Sequence, residues 1–211
     1  MDSFWYPFIL SLELATVTTI ILLAASIPLC CYIFFYSSGI TPLLKSLINL
    51  PFVLPPTVLG FYMLIALSES NLAFSFTSLV AGSIIYSLPF MMNPILSGLE
   101  NLPQNFQDAA FTLGKSKVTT FYKVMIPNIK PSILIGIVMS FAHTIGEFGM
   151  VLMIGGNIPG KTRVASIAIY NEVESMNYAA ANSYSLILLI FSLLVLLAVH
   201  SYQHYRNINF L

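Results

Sequence analysis

The sequence predicts an all-α polytopic membrane protein, and composition is the first observation that predicts it. Of 211 residues, 57% are apolar and only 8% are charged, whereas an average soluble domain carries about 25% charged residues. So few charged side chains cannot cover the surface of a soluble domain of this size. Eight lysines and arginines balance eight aspartates and glutamates, which leaves no basic surface for nucleic acid. The composition therefore excludes an ordinary soluble enzyme, and the charge balance argues against a nucleic-acid-binding protein.

The second observation is the length of the apolar segments, because a membrane-spanning helix needs about 20 mostly apolar residues. Five segments meet this requirement and predict five transmembrane helices: about 14–35, 47–67, 76–99, 132–154 and 185–199. Between the last two, the stretch 160–180 carries Arg163, Glu172 and Glu174, which are costly at membrane depth. We therefore predict a short amphipathic helix over about 164–178 instead of a sixth span.

Positive charge in alternate loops predicts the orientation, because cytoplasmic loops are enriched in lysine and arginine. Most of the cations lie in the first loop, the third loop and the carboxyl tail: Lys45, Lys115, Lys117, Lys123, Lys130 and Arg206. This distribution places the amino terminus outside and the carboxyl terminus in the cytoplasm. We expect residues 1–211 to form one transmembrane domain, with a cytoplasmic loop at about 100–131 and an external loop at about 155–182.

Two of the predicted spans contain helix-breaking residues. The second contains Pro51, Pro55, Pro56 and Gly60, and the third contains Pro89 and Pro94. Proline removes a backbone donor and kinks a helix, and broken helices are tolerated within a membrane where they line a cavity or pack on protein. A kink that serves packing alone is the alternative, but the density of these residues favours a substrate pathway.

A short pattern in the third loop predicts a compact helix. Its residues are Asp108, Ala109, Ala110 and Gly114, followed by Val124, Ile126 and Pro127. A glycine shortly after an alanine-rich turn is typical of a helix end, and an aspartate near the helix start interacts favourably with the helix dipole. The small alanine side chains permit close approach by a partner.

This loop resembles the EAA motif of ABC importer permeases, in which E-A-A-x-x-x-G is followed after nine residues by I-x-L-P. In this chain Asp stands for Glu, Val for the first Ile, and Ile for Leu. The resemblance implies that the loop is a coupling helix that docks on a cytoplasmic ATPase subunit. The residues that it assigns to coupling are Asp108, Ala109, Ala110, Gly114, Ile126 and Pro127.

Further stretches narrow the resemblance to the molybdate, tungstate and sulfate permeases, and within that group to molybdate permeases. Residues 50–60, LPFVLPPTVLG, resemble the pattern L-P-x-V-L-P-P-x-V-x-G. Residues 141–149, FAHTIGEFG, resemble F-A-R-x-x-G-E-F-G, with His143 in place of Arg, and 157–162 resemble N-I-P-G-x-T. The similarity spans about residues 10–200, nearly the whole chain.

The resemblance implies the type I ABC importer permease fold, in the bacterial cytoplasmic (inner) membrane. It implies a homodimer that forms the pathway for molybdate, two cytoplasmic ATPase subunits and an external substrate-binding protein. The chain is then not an enzyme and binds no cofactor, because ATP and magnesium belong to the ATPase. Membrane lipid surrounds it, and nucleic acid is not a partner. Tungstate and sulfate stay open as cargo, since all three anions are tetrahedral dianions.

Residues 155–162, GGNIPGKT, match the phosphate-binding pattern G-x-x-x-x-G-K-[ST] but do not predict a nucleotide site. That chemistry needs a strand before the loop, a helix after it and an acidic residue for magnesium. Here an apolar span precedes the loop, and Pro159 removes one amide that would contact phosphate. The predicted topology also places the loop outside, so the energy must come from another polypeptide.

Glu147 and His143 lie four residues apart and so share one helical face of the predicted fourth span. Ionisable residues at membrane depth are functional candidates. One interpretation is a mutual pair that supports packing or gating, and another is a proton relay in a secondary transporter. A bare carboxylate would repel an oxyanion, which disfavours Glu147 as a direct ligand. The residues predicted for the translocation pathway and its gate are Pro55, Pro56, Thr57, Gly60, Gly146 and Glu147.

An intramembrane enzyme is a third class of function. It would need a nucleophile with a base, or a cluster of metal ligands, and His143 with Glu147 supplies neither. His200 and His204 have the i, i+4 spacing of metal ligands on a helix, but the sequence offers no further ligands beside them. We therefore predict no catalytic residue and no metal site.

Overall fold

The computed structural model describes residues 4–36, 39–69 and 72–208, and the regular structure in these ranges is entirely helical. The helices are α1 Tyr6–Phe35, α2 Thr41–Val53, α3 Pro56–Ser68, α4 Phe76–Glu100, α5 Asn105–Thr112, α6 Lys117–Thr120, α7 Ile126–Asn128, α8 Lys130–Gly146, α9 Gly149–Gly155, α10 Ala165–Glu174 and α11 Tyr178–Ile208. A π-helical turn, Phe121–Met125, joins α6 to α7. The predicted all-α class is confirmed.

Three of these helices are long and apolar enough to cross a membrane: α1, α4 and the Tyr178–Ala198 part of α11. They correspond to the first, third and fifth predicted spans. In the described ranges the number rises to five if each of two bent helix pairs is counted as one span. The pairs are α2 with α3, and Lys117–Asn128 with α8. Helix α10 lies inside the range 164–178 where we predicted a short helix.

The second predicted span, 47–67, is not one continuous helix. Leu54 has ψ 135°, because the residue before a proline avoids the helical conformation. Pro55 is therefore outside any helix, and Pro56 begins α3, where a missing N–H removes no helix hydrogen bond. Adjacent prolines thus end one helix and start the next, which is a complete break and not a kink. Pro51 stays inside α2.

The fourth predicted span, 132–154, is not one continuous helix either, so the prediction of a single helix there is wrong. Helix α8 ends at Gly146 and α9 begins at Gly149, and the two residues between them are not helical. At its other end α8 begins at Lys130 and is bent by 76° from Lys117–Asn128. The stretch 146–148 contains no proline, so the pattern that predicted the kinks could not predict this break.

The described chain divides into two compact units, and the first consists of residues 17–55 and 84–143. Its fully buried large side chains come from α1, α4 and the loop after α5: Leu22, Met91, Met92, Ile95, Leu99, Phe121 and Met125. Helices α4 and α8 touch closely here, since a Cβ at Gly136 would lie 2.8 Å from the Met91 carbonyl oxygen. The third-loop segment is thus part of a packed core.

The second unit consists of the described residues up to 16, 56–83 and 144–208. Helix α3 packs on α9 at Gly60, where a Cβ would lie 3.2 Å from the Met150 Cα atom. Helix α10 packs on α11, and the buried Phe8 ring stacks 5.3 Å from the ring of Tyr184. Small residues and aromatic rings therefore hold this unit together.

Candidate coupling and translocation sites

Helix α5 ends in a Schellman motif that requires positive φ at residue 114. Gly114 has φ +70°, and its N–H donates to the Phe111 carbonyl oxygen at 2.9 Å. The N–H of Lys115 donates to the Ala110 carbonyl oxygen at 3.0 Å. These two bonds define the motif and satisfy the carbonyl groups at the helix end. The predicted glycine-ended helix is confirmed.

The predicted coupling residues divide into accessible and buried positions. Asp108 lies in the first turn of α5 and is exposed, as is Ala109. Pro127 in α7 is also exposed, whereas Ala110 is buried and Ile126 is half-buried against the core. Asp108, Ala109 and Pro127 are therefore free to contact a partner, while Ala110 and Ile126 hold the loop in place.

Exposed apolar side chains lie near these positions in the chain, and the sequence pattern did not predict them. They are Phe106, Phe111, Leu113, Val118 and Tyr122. Clustered apolar exposure on a protein surface is typical of an interaction site. We name these five residues the loop apolar surface; the signal in the sequence was their position beside the Asp-Ala-Ala stretch.

Aromatic and cationic contacts fix the loop to the end of α1. The Phe35 ring lies 6.4 Å from the Phe111 ring and 6.3 Å from the Phe121 ring. Lys117 Nζ lies 4.8 Å from the centre of the Tyr36 ring, a cation–π distance, and donates to the Phe35 carbonyl oxygen at 3.5 Å. A displacement of this loop would therefore act directly on the end of α1.

Glu147 occupies the break between α8 and α9. Its side chain is buried, with 4% of its surface exposed, and Ser83 Oγ of α4 donates to Oε2 at 2.9 Å. Its carbonyl oxygen accepts a hydrogen bond from Ser166 Oγ of α10 at 2.6 Å. Oε1 is buried and has no hydrogen-bond partner in the described part of the chain. Glu147 thus joins the break to two other helices.

Several of the predicted pathway residues lie close together around this break. A Cβ at Gly149 would lie 3.2 Å from Pro56 Cβ and 3.6 Å from Thr57 Cγ2, so the start of α3 contacts the start of α9. Gly60 lies one turn further along this contact, and Gly146 is exposed at the end of α8. The remaining predicted residue, Pro55, is exposed in the break that precedes α3.

His143 is held on α4 by a hydrogen bond and by stacking. Its Nδ1 lies 2.9 Å from Ser87 Oγ. Its ring stacks on Phe90 with the ring centres 3.9 Å apart and 24° between the planes, and the Tyr86 ring centre is 4.9 Å away. Sequence reasoning suggested Glu147 as its partner and missed Ser87, because a serine in an apolar helix gives no distinct signal.

A ladder of side-chain pairs joins α2 to α4. Lys45 Nζ donates to Glu100 Oε1 at 2.8 Å, at a largely exposed position. One turn further along α2, Asn93 Nδ2 donates to Asn49 Oδ1 at 2.7 Å. The next rung is an edge-to-face contact of Phe52 and Phe90 rings, 4.8 Å apart. This ladder was not predicted, although the i, i+4, i+7 spacing of its α2 members is visible in the sequence.

The loop that resembles a phosphate-binding loop is closed by its own hydrogen bonds. The Thr162 hydroxyl is fully buried and donates to the Gly155 carbonyl oxygen at 2.6 Å. It also accepts from the Ile158 N–H at 3.0 Å. Arg163 Nε donates to Asn157 Oδ1 at 2.7 Å. The hydroxyl that would bind magnesium in a nucleotide site is thus engaged within the loop.

Within residues 4–36, 39–69 and 72–208, no group of three or more His, Cys, Asp or Glu side chains is arranged to hold a metal ion. The side chains of His200 and His204 fall outside the described part of the structure, so their spacing stays a sequence observation.

Comparison with known proteins shows which family of proteins this chain belongs to. Residues 20–206 match the family described as "Binding-protein-dependent transport system inner membrane component", which covers most of the chain. The chain belongs to this family. It is therefore an integral inner-membrane protein and a permease component of an ABC importer.

Curated relatives share considerable sequence identity. The chain is 38% identical to the molybdenum transport system permease protein ModB of Azotobacter vinelandii, over 93% of each chain. It is 32% identical to the sulfate transport system permease protein CysT of Salmonella typhimurium, over 76% of this chain and 62% of CysT. It is 32% identical to ModB of Escherichia coli, over 63% of this chain and 64% of that one.

Solved structures share the fold. A bacterial ABC transporter involved in the import of the acidic polysaccharide alginate matches with a TM-score of 0.77 at 14% identity, over 97% of this chain and 80% of that one. An amino acid ABC transporter solved with histidines matches with a TM-score of 0.59 at 19% identity, over 90% of this chain and 92% of that one. At these identities the likeness concerns the fold alone.

Proposed function

We propose that this chain is the membrane-spanning subunit of an ATP-driven molybdate importer. In this proposal two copies form the translocation pathway, each crosses the membrane five times, and each couples to one cytoplasmic ATPase subunit. An external binding protein delivers the anion. The observation that carries the proposal is the α5 loop, in which a glycine-ended helix is fixed to α1 beside the loop apolar surface.

The loop supports ATPase docking because it combines exposure with anchoring. Asp108, Ala109 and Pro127 and the loop apolar surface are accessible to a partner. Phe121 and Met125 of the same loop are fully buried in the unit core. A partner that pulls on the exposed face therefore transmits force to the core. We assign coupling to the ATPase to six residues of this loop: Asp108, Ala109, Ala110, Gly114, Ile126 and Pro127.

We place the translocation pathway at the broken helices. The breaks at Pro55 and at Glu147 lie within apolar stretches, and broken helices in membranes accompany cavities and mobile contacts. Pro56, Thr57, Gly60 and Gly146 complete the proposed gate. In the proposed orientation the amino terminus is outside and the carboxyl terminus cytoplasmic, since most of the cations lie in alternate loops and the carboxyl tail.

We propose that ATP and magnesium bind to the partner subunits and not to this chain. The engaged Thr162 hydroxyl supports this view, because its two hydrogen bonds hold the loop closed. Pro159 also lacks the amide that phosphate would need. The membrane subunit then acts as a gate that the ATPase pair moves.

Molybdate is favoured over sulfate as cargo by the similarity to one ModB relative, which has both higher identity and higher coverage than the CysT relative. The ModB relative of Azotobacter vinelandii matches over 93% of its length, whereas the chain spans only 62% of the length of the CysT relative. Tungstate has the same shape and charge as molybdate, and we expect it to compete.

The test is reconstitution of this chain with a matching ATPase and binding protein in lipid vesicles. We expect ATP-dependent molybdate uptake that tungstate inhibits strongly and sulfate weakly, together with ATPase stimulation by the loaded binding protein. Uptake by this chain alone that a protonophore abolishes would contradict the proposal and favour a secondary transporter using Glu147 and His143. Stronger competition by sulfate than by tungstate would contradict the choice of cargo only.

A further inference from the structure

His143 is the basic side chain of an apolar stretch that holds no lysine or arginine. The residues from 131 to 155 contain one histidine and no other basic side chain, and α1, α3 and α4 contain none. A transported dianion must exchange some of its water for donors of the protein, because an unpaired charge is costly away from water. Donors within the spans are therefore informative about where the anion passes.

The ring of His143 is held in one orientation by its neighbours on α4. Ser87 fixes Nδ1 at 2.9 Å, and the stacked Phe90 ring at 3.9 Å sets the plane of the imidazole. Phe90 is held in turn by Phe52 of α2, whose ring is 4.8 Å away. An imidazole held on two sides is preorganised, which reduces the conformational entropy lost when it binds a ligand.

The second ring nitrogen of His143 is Nε2. Within the described residues no group makes a hydrogen bond to His143 Nε2, and the side chain is half-buried. When the Ser87 hydroxyl donates to Nδ1, the neutral ring carries its proton on Nε2, and the cationic ring carries protons on both nitrogens. In both of these forms Nε2 is a hydrogen-bond donor without an acceptor in the described chain, whereas the neutral tautomer that donates from Nδ1 to Ser87 Oγ would leave Nε2 an acceptor.

We propose that His143 Nε2 donates a hydrogen bond to the tetrahedral oxyanion as it passes through the membrane subunit. Ser87 is then a positioning residue, which acts by holding the donor proton on Nε2. The proposal rests on the proposed importer function and adds a specificity-determining contact to it. Hydrogen bonds to charged acceptors are stronger than neutral ones, so this donor favours an anion over neutral solutes.

Three substitutions separate the donor from the packing of the ring. His143→Phe keeps a ring on Phe90 and removes both nitrogens. His143→Gln places an amide nitrogen near the position of Nε2, and His143→Asn places one near Nδ1 only. Ile85→Ala, at an exposed position of α4, is the control. The readout is molybdate uptake per ATP hydrolysed in vesicles that contain the ATPase and the binding protein.

We expect His143→Phe and His143→Asn to lower uptake per ATP by about tenfold or more, as loss of a hydrogen bond to a charged group does. We expect His143→Gln and Ile85→Ala to stay within about threefold of the wild type. ATPase stimulation by the loaded binding protein, which reports docking and folding, should be retained in all four variants. Ser87→Ala should reduce uptake less than His143→Phe, since it leaves the donor in place but less well oriented.

Wild-type uptake in His143→Phe would overturn the proposal. Equal loss in His143→Phe and His143→Gln would also overturn it, because the imidazole ring and not the donor would then matter. These outcomes leave the importer function intact when the wild-type complex transports molybdate with ATP. Absence of ATP-dependent transport by the wild-type complex would instead remove the importer function on which the proposal rests.

Discussion

The α5 loop and the break at Glu147 end their helices by different physical means. At the end of α5 the termination is local: Gly114 adopts a left-handed conformation and two backbone hydrogen bonds close the helix. At the end of α8 the termination is tertiary: Ser83 bonds the Glu147 carboxyl and Ser166 bonds its carbonyl oxygen. A helix end that is closed by its own backbone hydrogen bonds keeps its shape when neighbouring helices move. A helix end that is held by side chains of other helices changes when those helices move. This difference fits the proposed roles of the α5 loop as a rigid lever and of the break at Glu147 as a movable joint.

The largest expected effect comes from breaking the local device. In Gly114→Val a β-branched residue would occupy φ +70°, a conformation that such residues avoid. Among the described residues other than its chain neighbours, no atom lies within 4 Å of a Cβ at this position, so the effect is one of conformation and not of space. We expect loss of ATPase stimulation and of ATP-dependent uptake, while the protein still inserts into the membrane.

Gly114→Asn is the matched control for this change, because asparagine tolerates the left-handed region. It should keep most of the ATPase stimulation and uptake. Equal activity of the valine and asparagine variants would show that the Schellman motif is not needed for coupling.

A smaller effect is expected from breaking the tertiary device. Glu147→Ala removes the acceptor of the Ser83 hydroxyl inside the protein, and an unpaired buried polar group costs about 1–3 kcal/mol. We expect a lower thermal unfolding midpoint in detergent micelles. Glu147→Gln keeps an acceptor oxygen of the same size, and its midpoint should stay near that of the wild type. If the alanine variant is as stable as the glutamine variant, the carboxyl does not hold the break.

The smallest effect is expected at the Lys45–Glu100 ion pair at one end of the α2–α4 ladder. Both side chains are largely exposed, at 43% and 55%, and exposed pairs contribute at most about 0.5–1 kcal/mol. A double-mutant cycle with Lys45→Met and Glu100→Gln should give a coupling energy in this range that falls as salt is added. A coupling energy several times larger would mean that the ladder is buried by a partner.

Sequence patterns predicted the helix and turn of the α5 loop because this structure is encoded within ten residues. The spacing of Ala110 and Gly114 predicted where α5 ends. The charge pattern of 160–180 predicted α10 in place of a sixth span. The adjacent prolines predicted a disturbance in the second span. The sequence left a packing kink as the alternative, whereas the structure shows a complete break between Val53 and Pro56.

The break at 146–148 and the partners of the two ionisable residues were beyond the reach of the sequence. Ser83, Ser87 and Ser166 are ordinary residues of apolar or amphipathic helices, and nothing in their spacing sets them apart. Their roles depend on contacts between positions far apart in the chain, such as Ser83 with Glu147. Only the packed structure brings these groups within hydrogen-bond distance.

Composition and short-range spacing were enough to predict the membrane class, the glycine-ended helix and the family resemblance, because both are local properties of the chain. The packing of the helices fixes where the fourth apolar stretch breaks and which serines hold Glu147 and His143. The reason is that a buried polar group must find a partner, and which partner it finds is a property of the packing between helices.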